Sequence, residues 1–394
     1  FNGIPFFSDA TNNSMYTHDV SGTDDTAQYN TAYGFAAMDA ITTGDSNVAI
    51  GKSAGTALTT GGSNVLVGKD AGDSLTAGAR NVAIGTDALQ SENDHGRNVA
   101  IGYEALFTQD AGADAYNVAV GYQAGVSVST GIKNTLIGGL AGDALNGGAN
   151  NVAVGYAALS AEDGHSANVA IGYQALTAQN AGADAYNVAV GYNAGVAVTT
   201  GTENTLIGGG AGDALTSGGR NTAIGYEALS AEDETGYAVA VGYQALRAQN
   251  SGGNSYNVAV GYNAGESVST GIENTLLGGK AGDALTTGSY NVAIGMDALD
   301  AEDTGSRNVA IGYNSLKALN YDGNGYNVAV GFDAGKAVST GIYNTIIGGL
   351  AGDALTTGSN NIAIGYLALS AENAHGKNIA IGVNALAVQD AGVD

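Results

Sequence analysis

Large and small apolar residues alternate along this chain in a five-residue phrase, Asn-Val-Ala-Ile-Gly. It is first complete at residues 47–51 and returns at 81–85, at 98–102 and, with Val120 in place of Ile, at 117–121. β-Branched residues hold the large places, which is a strand pattern and not a helical one. Glycine occurs 64 times in 394 residues. Each glycine inside a helix would cost roughly 1 kcal/mol, so a helical reading fails.

The phrase begins at Asn47, Asn64, Asn81 and Asn98, then at Asn117, Asn134, Asn151 and Asn168. It continues at Asn187, Asn204 and Asn221, at Asn257, Asn274, Asn291 and Asn308, and at Asn327, Asn344, Asn361 and Asn378. The steps of 17, 17, 17 and 19 make a super-repeat of 70 residues, copied almost five times from residue 47. Ala238 stands where one Asn is due, and residues 239–242 keep phase; a degenerate copy occupies 30–34. So short a period is too small for a helical pair or a propeller blade and suits one coil of a solenoid. The expected fold is all-β: a parallel β-solenoid rod of about 21 coils over residues 30–394, with no linker.

Side chains alternate across a strand. In residues 118–121 this sets Val118 and Val120 against Ala119 and Gly121. The expectation is that the large pair fills the coil while the small pair forms a flat outer strip. A strip of Ala and Gly gains nothing in water, so Ala119, Gly121, Ala189, Gly191, Ala259 and Gly261 are expected to face sister chains of a homotrimer.

The second half of each coil keeps Ala three places after the Gly (Ala54, Ala71, Ala88, Ala105). The next place is Gly in two coils of each block (Gly55, Gly72) and Leu in the other two (Leu89, Leu106). Where it is Gly, a bulky residue follows three places on (Leu58, Leu75, Val128, Leu145); where it is Leu, that place is Glu92, Glu162, Gln179 or Gln249. Interiors feel single methylenes, so the exchange reads as volume compensation. Pairs such as Thr60-Gly61 and Gly218-Gly219 mark turns.

Two roles are expected of the Asn column. Asn tolerates the turn conformation that starts a strand, and stacked amides can hydrogen-bond from coil to coil. Ala238 is then a weak point. Residues 1–29 do not repeat; Phe1, Ile4, Phe6 and Phe7 cluster around Pro5, and the segment reads as a cap or attachment piece.

Composition narrows the class. There is no Cys and no Trp, and Asp+Glu (37) exceed Lys+Arg (12) for a net charge of −25. Disulfides are excluded. Such acidity repels nucleic acid. No apolar run approaches the ~18 residues of a membrane span, and no secretory signal is visible. The chain lacks an initiator Met and stops at Asp394 inside a coil, as a fragment or processed product would.

Candidate chemistry is thin. The Gly-rich stretch 137–142 lacks the Lys-Ser/Thr of a phosphate loop and the βαβ context of a dinucleotide fingerprint. Asp73, Asp143, Asp213, Asp283 and Asp353 recur once per block, roughly 19 Å apart by strand spacing, too far to share an ion, and read as a solvated face. His95, His165 and His375 alternate with Thr235 and Gly305, so none is a required ligand. Glu162-Asp163 and Glu232-Asp233 lie in turns without a catalytic partner. The expectation is no enzyme, no cofactor and no metal. Tyr103, Tyr122, Tyr156, Tyr173 and Tyr192 follow the Gly, and Tyr116, Tyr186, Tyr256 and Tyr326 precede the Asn. They read as packing over glycine gaps, with glycan binding as the alternative.

Asn221-Thr222-Ala223-Ile224-Gly225-Tyr226-Glu227-Ala228-Leu229 resembles the 17-residue repeats of phage tail fibres and related bacterial surface proteins. Asn-Val-Ala-Ile-Gly with a Gly-bearing turn is also similar to the head repeats of trimeric autotransporter adhesins. The resemblance covers about residues 30–394. It implies a left-handed parallel β-roll, three chains wound around one axis, and attachment to a host-cell surface receptor or glycan. Many such fibres carry a self-cleaving C-terminal chaperone, whose removal would leave an end like Asp394. The functional expectation is a non-enzymatic extracellular fibre or adhesin shaft, on a virion or a cell surface. The alternative is a subunit of a self-polymerising extracellular filament.

Overall fold

The computed structural model describes residues 7–9, 11–17, 25–234 and 236–388. The chain forms two compact units, residues 1–200 and 201–394. Each is a parallel β-solenoid, and together they hold about 21 turns. No helix occurs among the described residues, and none is long and apolar enough to cross a membrane.

Every coil contributes one three-residue strand at the predicted place. In the first unit these run from Thr31–Tyr33 through Val48–Ile50 and Val118–Val120 to Val188–Val190; in the second, from Thr205–Ile207 to Ile379–Ile381. Successive strands pair in parallel and in register, so Val99, Ala100 and Ile101 lie beside Val118, Ala119 and Val120. Ahead of the first coil, strands Phe7–Asp9 and Ser14–Tyr16 make an antiparallel pair, and Met15 lies beside Thr31. Phe1, Ile4, Pro5 and Phe6 lie outside the described residues.

The facing of the strands is the reverse of the expectation. Ala119, Ala189 and Ala259 are wholly buried within the protomer, while Val118 and Val120 are half-buried on the outside. These three alanines therefore cannot meet a sister chain. The reason is volume. The interior of a 17-residue coil already holds the strand-centre residue, the second-half Ala, a Leu or Val, and an Asn side chain. A β-branched pair from every strand would not fit beside them.

Gly121 and Gly261 have another task. A Cβ on Gly121 would lie 2.4 Å from the carbonyl oxygen of Gly138, and one on Gly261 2.4 Å from that of Gly278. Their φ angles are +146° and +145°, and that of Gly191 is +143°. Only glycine takes this conformation freely while letting the next coil's backbone come so close. The three glycines are partly exposed, but at Gly121 and Gly261 the missing side chain points along the stack and not towards a partner.

The second-half glycines make room for the bulky residue three places on, as expected (a Cβ on Gly142 would lie 2.8 Å from a methyl of Leu145), and also for a second partner. One strand centre per block is Leu, or Ile346 in the last block, instead of Ala, as at Leu66 and Leu136. A Cβ on Gly125 or Gly142 would lie 2.7 or 2.8 Å from the methyls of Leu136, and Gly55 and Gly72 stand likewise to Leu66 at 2.6 and 2.9 Å. The glycines make room for that leucine. In the coils of Leu106 and Leu159, where the strand centre is Ala and no Gly stands at that place, a buried leucine comes from the turn instead.

Candidate functional site

The Asn column runs inside each unit, and Asn64, Asn81, Asn134 and Asn151 are wholly buried. Their hydrogen bonds mainly join side chain to backbone. Asn64 Oδ1 accepts the amide N–H of Asn81 at 2.9 Å, and Asn81 Oδ1 that of Asn98 at 3.0 Å. Asn64 Nδ2 donates to the carbonyl of Gly78 at 2.9 Å, and Asn134 Nδ2 to that of Gly148 at 2.8 Å. Direct amide-to-amide contacts occur in places, as from Asn64 to Asn47 at 3.1 Å. The left-handed conformation lies one residue earlier, at Ser63, Arg80, Tyr116 and Lys133, with φ between +55° and +62°. The Asn is thus required for its carbonyl oxygen and amide, not for its backbone tolerance.

A second buried polar series was hidden in the Leu/Glu exchange. Glu92, Glu162 and Glu302 are wholly buried at the place that Leu75 and Leu145 hold in other coils. Each caps its own turn. Glu92 Oε1 accepts the N–H groups of Asn93 and His95 at 3.2 Å, and Glu302 Oε1 that of Gly305 at 2.7 Å. Among the described residues no Lys or Arg pairs with them. Burial raises the carboxyls of Glu92 and Glu162 above the ordinary range and pushes Glu302 to about 7. Gln109 holds the same place one coil later; it accepts from Asn117 Nδ2 at 2.7 Å and donates to the Ser129 carbonyl at 3.1 Å.

The histidines sit over these glutamates. His165 Nδ1 lies 2.7 Å and His375 Nδ1 3.1 Å from the glutamate three residues earlier. Glu92, His95 and Asp110 bring their ligand atoms within 4.8 Å of one another, as do Glu162, Asp163 and His165. One nitrogen and two carboxylates could hold a small divalent cation, although in the second group the His–Glu hydrogen bond already engages both partners. Thr235 lies outside the described residues.

The recurrent aspartates are not simply solvated. Asp143, Asp213 and Asp353 are half-buried, and burial raises their carboxyls. Asp283 is pushed to about 7, first by burial and then by a hydrogen bond with Asp300.

The outer face carries exposed apolar residues. Ile50, Ile137 and Ile171 in the first unit, and Ile207, Val260 and Ile347 in the second, are 36–40% exposed. Beside them the tyrosines that follow the Gly form stacked ladders. Ring centroids are 5.6 Å apart for Tyr156–Tyr173 and 5.3 Å for Tyr173–Tyr192, and 5.5 and 5.4 Å along Tyr226–Tyr243–Tyr262. These rings are 44–63% exposed, so they pack on one another and not down into glycine gaps. Their stacked faces are occupied, which leaves mainly edges for a glycan. In the column before the Asn, arginines join the ladder: Arg97 over Tyr116, Arg220 over Tyr237, and Arg307 over both Tyr290 and Tyr326.

No protein-family model matches this chain, and no curated protein matches it either.

Proposed function

We propose that this chain is a non-enzymatic, extracellular fibre or adhesin shaft that works as a homotrimer and attaches to a receptor on another surface. One observation carries the reading: the recurrent row of apolar, mostly β-branched residues, half-buried or exposed, on the outer strand face of each unit. Exposed apolar rows of this regularity mark a surface that another chain covers, and identical coils favour identical partners. The sister chains would lie on Val118, Val120 and Ile137 and their equivalents, not on the alanines. The similarity of residues 221–229 to tail-fibre repeats supports three chains and a left-handed roll.

Sedimentation equilibrium of the purified chain tests this. A mass three times the 38.8 kDa of the chain, held at micromolar dilution, is the expected result. A stable monomer with full β-content overturns it, and open-ended growth with concentration replaces it with a filament subunit.

A further inference from the structure

In the four blocks after the first, the column that carries the tyrosine ladders is interrupted by a glycine that has no steric reason to be there. Gly139, Gly209, Gly279 and Gly349 occupy the place that Tyr156, Tyr226 and Tyr366 hold in the next coil. A Cβ on Gly138 would strike backbone at 2.4 Å, but one on Gly139 or Gly349 would meet nothing nearer than the ring of Tyr156 or Tyr366, at 3.6 and 3.7 Å. Their φ angles lie outside the left-handed range that favours glycine. A tyrosine would continue the ladder at either place.

The omission leaves a slot. Tyr122 and Tyr156 bound it at Gly139, and Phe332 and Tyr366 at Gly349. All four rings are 50–56% exposed. The walls stand two coil rises apart, roughly 10 Å at the ~4.8 Å spacing of adjacent strands. One flat group midway would lie about 5 Å from each ring, within the range over which aromatic faces attract.

The same molecule contains a filled version of this slot. Arg307 lies between two tyrosines of its own column, with its guanidinium carbon 5.0 Å from the Tyr290 centroid and 5.9 Å from that of Tyr326. Two aromatic rings two coils apart thus hold a guanidinium. The ring faces are negative, the chain carries a net charge of −25, and an acid flanks the equivalent coil, where Asp213 Oδ2 lies 3.5 Å from the Cβ position of Gly210. We infer that the slots at Gly139 and Gly349 receive arginine side chains from a basic segment of a partner protein. This deepens the attachment reading by naming the partner's chemistry. It does not depend on the number of chains in the assembly.

The test uses hexa-arginine and hexa-lysine as probes of equal charge, followed by tyrosine fluorescence, which no Trp obscures. Hexa-arginine should bind about tenfold more tightly, because only a planar cation stacks on both walls. The triple variant Gly139→Tyr/Gly209→Tyr/Gly349→Tyr should lose that preference while keeping its melting temperature and sedimentation mass. Equal binding of the two peptides, or a preference that survives in the triple variant, overturns the inference; so does binding of neutral oligosaccharides in its place. A filament that still prefers arginine would refute attachment and leave the slot standing.

Discussion

The side chain of Asn221 accepts the amide N–H of Ala238 at 3.0 Å, but Ala238 has no side-chain oxygen to offer the next rung at Asn257. Within each unit the other links of the column are passed on, as from Asn257 to Asn274 at 2.8 Å. Ala238→Asn should therefore raise the melting temperature. The gain belongs at the low end of the 0.5–1.5 kcal/mol of one net hydrogen bond, because the equivalent Asn168 keeps a buried Nδ2 without a partner. Calorimetry of the variant checks this, and no change or a fall would argue against the link.

The glycine column makes a sharper contrast. Gly121→Ala sets a Cβ 2.4 Å from the Gly138 carbonyl at a φ of +146° and should lower stability by at least ~2 kcal/mol, from strain and displaced backbone together. Gly139→Ala, one coil on, should change the melting temperature little. Parallel thermal melts decide it.

Ala119→Leu combined with Ala189→Leu would be a test of assembly if these residues lay outside. Since Ala119 sits in the core between Ala100 and Leu136, the pair should instead destabilise each protomer by about 1–3 kcal/mol per site. Ile137→Asp with Ile347→Asp, on the exposed face, should lower the sedimentation mass with the β-content kept. A reversal of these two outcomes would restore the alanine strip as the interface.

Stability should fall as pH rises from about 4.5 to about 7. Burial holds Glu302 at about 7 against an ordinary 4.5. The folded chain therefore binds that proton more tightly than the unfolded one. The contribution is full below about 4.5 and gone above about 7, and it is on the order of 3 kcal/mol at 1.36 kcal/mol per unit. Glu302→Gln keeps an acceptor for the Gly305 amide and removes the charge. It should melt higher than the parent at pH 8 and match it at pH 4, which paired melts at the two pH values would show.

The strands, their register and the coil length were legible in the sequence because one phrase recurs at 17 and 19 residues, and each repeat must do the same job. The direction of the side chains was not. Val118 and Ile137 are the bulkier residues, and large apolar groups usually face inward. That rule assumes an interior wide enough to take them, and this coil is too narrow. Nor could Glu92 be placed inside from sequence, since a carboxylate with no basic partner reads as a surface group; only the turn amides that it caps explain its burial. The tyrosine ladder was visible as a pattern, but its missing rungs gained meaning only when the intervening rings were seen stacked.

The fit of Leu136 between Gly125 and Gly142 bears on how such a chain can lengthen. Removing either of the two coils that hold Leu136, Gly125 and Gly142 would leave a hole where the leucine stood or drive it against another leucine. Gain or loss of all four coils together restores every neighbour. The heritable unit of this protein is accordingly the 70-residue block, and copies that differ in length should differ by whole blocks.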